Sequence, residues 1–205
     1  MGLAYERSQL ISHVIVEGID RLGKDTLIKG IQDQFGYHQV LHFQKPIILD
    51  KYMREAVTEG IRDPEDVKRA ALKKYQWNSF STMFKMMKGQ GPIICNRAHL
   101  GETVYAKRYR GYDGNYVFDI EKMFSYVEGP IENVLLVVLH TSDFRFISDD
   151  GQSFDVSKRE EEQADFINAY DRSMIPNKML IDVNDGHGKF VAPNLIVDAV
   201  CKRLK

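Results

Sequence analysis

Residues 14–26, V-I-V-E-G-I-D-R-L-G-K-D-T, restrict the fold more than any other stretch. An apolar run ends at Glu17. Gly18, four residues, Gly23 and Lys24 follow, and a helical pattern starts at once. Strand, glycine loop and helix start, in that order, form the setting that a phosphate-binding loop requires. The two glycines let the loop curl so that successive N–H groups of Gly18, Ile19, Asp20, Arg21, Leu22 and Gly23 face inward toward phosphate oxygens. The helix that follows adds its positive dipole end, and Lys24 reaches the outer phosphates as a mobile point charge. A tight turn before a helix would not need the lysine.

Two residues depart from the simplest form of this loop. Asp25 stands where a hydroxyl usually faces Mg²⁺. A carboxylate suits that ion directly or through water, and Thr26 supplies a hydroxyl one position later. Asp25 is also a favourable acid for a first helical turn. Arg21, inside the loop, can lie across the bridging oxygens of a transferring phosphoryl group, or it can be a solvated loop arginine.

At 205 residues the chain predicts one domain, 1–205, with ample length for a core. With 43% hydrophobic and 28% charged residues it reads as soluble and globular. A net charge of −1 argues against broad electrostatic binding to nucleic acid or membrane. Cys95 and Cys201 are too few for a disulfide framework and suit a reducing cytoplasm. The start of the chain, M-G-L-A-Y-E-R-S, lacks the long apolar core of a secretory leader, and Glu6 breaks the myristoylation pattern behind Gly2.

Short apolar runs alternate with helical patterns. The predicted strands are His13–Glu17, 38–43, 92–96, Val134–His140 and 179–183. The predicted helices are Lys24–Phe35, 49–59, 64–88, 100–109, 120–128, 157–173 and 193–203. Such alternation means βαβ units, an α/β fold with a parallel sheet buried between helices. The run 134–139 is apolar without alternation, as a central parallel strand should be. Ligands in such sheets sit at the carboxyl ends of the strands, so the residues just after each strand carry the functional signal.

After the second strand, Lys45 is a candidate phosphate contact and Pro46 stiffens the turn. In the long third helix, Trp77, Phe80, Phe84 and Met87 recur at core spacing. Polar Tyr75, Gln76, Asn78 and Ser79 interrupt that surface, the mixture a base pocket needs. Gln76 is the candidate reader of the base edge, with Tyr75, Trp77 or Phe80 as stacking partner. After the third strand come Asn96 and Arg97, whose planar fork suits an oxyanion, and Tyr105 eight residues beyond Arg97. His99 reads as structural. Lys107, Arg108 and Arg110 form a short basic segment. The polar stretch 141–156 reads as a lid over the phosphates, with Arg145 as its phosphate contact. The run 158–163, K-R-E-E-E-Q, reads as a solvated helix face, and 184–190 as a turn able to approach a base.

Taken together, these residues resemble the thymidylate kinase family of P-loop nucleoside monophosphate kinases. E-G-I-D-R-L-G-K-D-T looks like that family's phosphate loop, and Arg21 matches the type with its catalytic arginine in the loop. N-R-x7-Y, at Asn96, Arg97 and Tyr105, matches the family's Asp-Arg-x7-Tyr spacing. F-Q-K-P, at Phe43 to Pro46, is a looser match to its Arg-Glu-Pro turn. The G-x-x-R-x-G-K-D-T form is also similar to deoxynucleoside monophosphate kinases of bacteriophages. The resemblance implies a P-loop three-layer sandwich, with a five-stranded parallel sheet, acceptor-site helices over about 49–110 and a lid over about 141–156. It implies transfer of the γ-phosphoryl of ATP, with Mg²⁺, to a deoxynucleoside 5′-monophosphate, dTMP foremost. Arg21, Lys24 and Arg97 would be catalytic. Asp20 would bond the acceptor's sugar hydroxyl, Arg97 and Lys45 would bind its phosphate, Tyr105 would lie against the sugar, and residues near Gln76 would hold the base. Asn96 replaces the family's aspartate, and Asp25 can restore the lost charge. A homodimer in a cytoplasm, the host's if the chain is phage-encoded, is the implied setting.

Two other readings stand beside it. A deoxynucleoside kinase would need a carboxylate near the sugar 5′-hydroxyl, from Glu17 or Asp20. A nucleotide-binding protein without catalysis would explain Asn96 and Asp25.

Overall fold

The computed structural model describes residues 11–36, 39–43, 46–89, 91–126, 131–147 and 156–204. Lys45 and positions 148–155 of the expected lid lie outside these residues. Five strands, β1 (His13–Glu17), β2 (Gln39–His42), β3 (Ile93–Asn96), β4 (Val134–His140) and β5 (Asn177–Asp182), form one sheet in the order β2-β3-β1-β4-β5. All pairings are parallel. Side chains alternate between the faces of a strand, so a strand buried at every position is covered on both sides. β1 and β3 are buried throughout, and β4 everywhere except His140. β2 and β5, at the edges, are largely half-buried.

The covering helices are α1 (Lys24–Phe35), α2 (Asp50–Thr58), α3 (Pro64–Gly89), α4 (Leu100–Tyr105), α5 (Tyr116–Tyr126), α6 (Arg159–Arg172) and α7 (Pro193–Cys201). α1 packs on α7, α2 on α3, α3 on α5 and α4 on α6. Gly30 permits the first contact, since a Cβ there would come within 2.4 Å of Val197. Asp63 starts α3 as expected. Its carboxylate accepts the N–H groups of Glu65 and Asp66 at 3.0 Å, ahead of Pro64 in the first turn.

Two helices differ from the sequence expectation. α5 starts at Tyr116, four residues before the expected 120, because Asp113 accepts the Asn115 N–H at 2.9 Å and turns the chain early. The expected 100–109 helix is α-helical only to Tyr105. It then widens into a π-helical turn, Ala106–Arg110, closed by Gly111 at φ 72°.

The core beneath α3 and α5 centres on Phe84. Its ring stacks on Phe124 at 5.5 Å and meets the edge of His99 at 5.1 Å. Phe84 and Phe124 are fully buried. His99, also fully buried, bonds Glu121 through Nε2 at 2.6 Å, which fits its structural reading. Phe84→Ala should remove about 3–5 kcal/mol of stability, measured by urea denaturation. A loss below about 1 kcal/mol would show that this centre can collapse around the deletion.

Candidate functional site

The phosphate loop joins β1 to α1 through three left-handed residues, Gly18 (φ 127°), Arg21 (φ 71°) and Gly23 (φ 82°). At Gly18 a Cβ would meet the Leu139 carbonyl oxygen at 2.4 Å, so β4 itself demands glycine there. Ile19 and Leu22 turn inward, each 1% exposed, and anchor the loop in the core. Their contribution to an anion site is therefore backbone. Lys24 is held inside the curl, its Nζ donating to the carbonyls of Gly18 (3.0 Å) and Ile19 (2.6 Å). Burial, then the nearby charge of Arg97, lowers its pKa to about 8.

β3 runs beside β1 with Val16 opposite Asn96, so the turn after β3 opens next to the loop. Arg97 takes a left-handed backbone (φ 62°) and pairs its guanidinium with Asp20. Asp20 also stands 3.9 Å from Lys24, so one carboxylate lies between two cations. Asn96 donates through Nδ2 to Asp25 Oδ1 at 2.6 Å and approaches His42 Nδ1 at 3.2 Å. Its Oδ1 is buried with no partner among the described residues. Glu17 ends β1 fully buried. Its Oε1 accepts the N–H groups of Leu100 (3.0 Å) and Gly101 (3.4 Å), and Oε2 has no partner among the described residues. Burial pushes its carboxyl up, while the charge of His99 and the two N–H groups pull it back.

These groups border a cleft of about 1040 Å³, which Thr26, Arg21 and Tyr105 also line. One wall is built on Glu102, 1% exposed. Glu102 Oε2 accepts from Gln76 Nε2 (3.1 Å) and Arg110, and Oε1 from the hydroxyls of Tyr112 (2.7 Å) and Tyr116 (2.8 Å). Gln76, Phe80 and Arg110 border the cleft there. Phe80 packs on Phe43 at 5.6 Å. Tyr105 also lines the cleft. It meets Phe166 edge-on at 5.8 Å, and burial raises its hydroxyl.

The fold thus gathers Gly18, Ile19, Asp20, Arg21, Gly23, Lys24, Asp25, Thr26, Gln76, Phe80, Asn96, Arg97 and Tyr105 on one cleft. It places four candidates elsewhere: Leu22 lies in the core, Trp77 stacks on Tyr116 at 5.6 Å, and Tyr75 and Arg145 also stand off the cleft. Tyr75 borders a separate hollow and meets Tyr52 edge-on at 6.3 Å. Arg145 is 90% exposed and chelates Asp143 within its own turn, with Nη2 at 2.7 Å and Nε at 2.9 Å. Glu102 and Arg110 were missed because an acid in a first helical turn and a basic triplet both read as ordinary surface. The 158–163 run is a correction. Arg159 and Glu162 are each 8% exposed and border the cleft, in line with Phe166 and Ala169 on the inner face of α6. The spacing 159, 162, 166, 169 is helical and was legible, but charge at its first two positions masked it. Two of the three cations of the basic segment are paired within the chain. Arg108 pairs with Asp165 (2.6 Å) and Glu161 (3.0 Å), and Arg110 with Glu102.

At the carboxyl edge of β5, Asp185 accepts the N–H groups of His187 (2.7 Å) and Lys189 (3.1 Å), which shapes the 184–190 turn. Phe190 closes on Phe146 at 4.7 Å, joining that turn to the start of the expected lid. Among the described residues, no helix is long and apolar enough to cross a membrane.

Neither a protein-family model nor a curated protein sequence matches the chain. Solved structures do match it. YorR of Bacillus subtilis, determined with phosphorylated GDP, aligns at TM-score 0.58 and 13% identity over 93% of each chain. The thymidylate kinase of Candida albicans aligns at 0.54 and 14%, over 96% of this chain and 94% of that one. The deoxyadenosine kinase of M. mycoides, determined with dCMP and dCDP, aligns at 0.52 and 14%, over 94% and 98%. The chain has the α/β fold of the P-loop thymidylate and deoxynucleoside kinases, a five-stranded parallel sheet between helices.

Proposed function

We propose that this protein is a kinase that moves the γ-phosphoryl of Mg·ATP onto a deoxynucleoside 5′-monophosphate, with dTMP as the preferred acceptor. The observation that carries this reading is the meeting of two cationic stations in one cleft. Lys24 stands inside the loop curl, and Arg97 stands opposite it across Asp20. One station suits a donor triphosphate and the other an acceptor phosphate. Bringing two anions together is the main electrostatic cost of this reaction, so fixed cations supply most of the catalysis.

Arg21 and Arg97 both hold left-handed backbones, which cost about 1–3 kcal/mol each and persist where the surrounding fold imposes them. In this reading Arg21 bridges donor and acceptor, and Lys24 and the loop N–H groups hold the β- and γ-phosphates. Arg97 binds the acceptor phosphate, and Asp20, which orients Arg97, reaches the sugar hydroxyl. Tyr105 lies against the sugar, and Gln76 and Phe80 take the base. Lys45 adds a phosphate contact in this reading, and Arg145 would have to leave Asp143 to add a lid contact. Arg159 on the cleft wall is the better-placed lid-side cation.

Asp25 and Thr26 would hold Mg²⁺, and the buried, unpartnered Asn96 Oδ1 beside Asp25 fits the all-oxygen donor set of that ion. Mg²⁺, when bound, neutralises charge on the phosphoryl oxygens. The same reading carries a homodimer in a cytoplasm. One observation favours a second acceptor. Glu17 Oε2, without a partner among the described residues, belongs to a side chain on the cleft wall and suits a base for a 5′-hydroxyl, as in a deoxynucleoside kinase.

The deciding experiment is a panel of nucleoside monophosphates with ATP and Mg²⁺, read by ADP release, with thymidine beside dTMP. Turnover of dTMP above thymidine and above other monophosphates is expected. Turnover of thymidine alone would establish the second acceptor, and none at all would leave a binding protein. Arg21→Ala should lower kcat roughly 10³–10⁵-fold with ATP affinity nearly unchanged. An unaltered kcat would remove Arg21 from the mechanism.

The pH profile follows from Lys24. Its charged form binds phosphate, and its pKa near 8 means the free enzyme loses that charge as pH rises through 8. The plot of kcat/KM for ATP, which reports free-enzyme groups, should therefore bend downward near pH 8. Lys24→Arg, always charged, should abolish the bend at reduced activity. A flat wild-type profile to pH 10 would contradict the assignment.

A further inference from the structure

Glu102 is buried and lines the cleft, and the groups it holds are unlike a random core contact. One of its oxygens accepts from both Gln76 Nε2 and Arg110, and the other from two tyrosine hydroxyls. A carboxylate only accepts, so it decides the orientation of every partner. The Gln76 amide is turned with nitrogen toward Glu102. Its carbonyl oxygen has no hydrogen-bond partner among the described residues and belongs to a side chain on the cleft wall. Arg110 is fixed by the same oxygen, also meets the Tyr112 side chain, and lines the cleft with its side chain 16% exposed. One buried carboxylate therefore sets an acceptor and a donor side by side, while Phe80 supplies an apolar ring nearby.

We infer that Glu102 is a positioning residue that sets nucleobase selectivity: it locks Gln76 as an acceptor and Arg110 as a donor against the paired donor and acceptor of one base edge. The inference rests on the reading that places the base at this end of the cleft. The amide cannot rotate to suit a different edge without separating its nitrogen from a buried carboxylate. A flipped amide would set oxygen against oxygen, which the site penalises strongly. Discrimination by fixed polar groups exceeds discrimination by shape, because the wrong edge leaves them unpaired.

The test is binding and turnover of the four common deoxynucleoside monophosphates by the full chain and by Glu102→Gln. Binding is read from Trp77, the chain's single tryptophan, whose ring stacks on Tyr116 at 5.6 Å beside Glu102. Turnover is read by ADP release. Wild type should prefer one base by at least tenfold. Glu102→Gln should cut that preference at least tenfold, through acceptor Kd and KM, with KM for ATP unchanged and kcat within about threefold. A merely structural glutamate would lower all four acceptors, and ATP, by a common factor and leave the preference intact, and that result overturns the inference. So does a wild type that binds all four bases within threefold.

If Glu102→Gln does not fold, Gln76→Leu and Arg110→Lys decide. Each must flatten the preference, and retention of it in both overturns the inference. Selective binding without turnover would refute the kinase reading and leave the role of Glu102 standing. Selective turnover that Glu102→Gln leaves unchanged would do the reverse.

Discussion

The buried Glu17 carboxylate is the contact on which the cleft depends. It ends β1, at the point where the phosphate loop begins, and accepts the first N–H groups of α4 at Leu100 and Gly101. Hydrogen bonds to a charged acceptor contribute about 1.5–3 kcal/mol each, against a desolvation cost of several kcal/mol for burying the ion. The net stabilisation is small, but the geometric consequence is large. The parallel register of β1 and β3 already sets Asn96 beside Val16, and Glu17 then fixes where α4 leaves that corner. Arg97 lies in the turn and Tyr105 at the end of the helix, so both take their places from this carboxylate.

Around that corner the electrostatics are deliberately unfavourable. Arg97 disfavours the charge on Lys24, and burial disfavours it more. Asp20 offsets part of this by standing between the two cations. A site arranged this way is poorly satisfied by its own residues and well satisfied by phosphate oxygens, whose charge would restore the lysine's ordinary basicity. The strained backbones of Arg21 and Arg97 point the same way, since neither conformation is one that arginine prefers. Stability has been given up at this corner, which is what the proposed anion site requires.

Much of this was legible in the sequence because it is local. The Gly18–Lys24 spacing predicts the loop, and β1, β4 and α1 have the bounds that the apolar runs predict. Arg97 and Tyr105 were legible through their spacing after a strand. What was not legible is where a side chain turns once its backbone is placed. Tyr75 and Gln76 are neighbours on α3, yet a helix sends consecutive residues about 100° apart, so only Gln76 meets the cleft. Arg145 has a carboxylate two residues before it, and that local chelate competes with any distant phosphate. Arg159 illustrates the converse, a charged residue at a core-facing period whose neighbour is the cleft itself.

Glu102 shows why its part of the cleft was the hardest to read. Its partners come from α3, from the π-helical turn and from the segment leading into α5, so no short pattern contains them. The π turn matters here. It widens the chain between Tyr105 and Gly111, and both Tyr105 and Arg110 border one cleft although an α-helix would set them well apart in angle. The loop after β1 is therefore specified by a motif and the surroundings of Glu102 by a conjunction of distant residues. Glu17 and Glu102 bracket α4 and its approach, one fixing the start of the helix to the phosphate loop and the other fixing its side to Gln76. Glu102 directly follows Gly101 on α4, so one helical turn carries both the Glu17 contact and the carboxylate that holds Gln76.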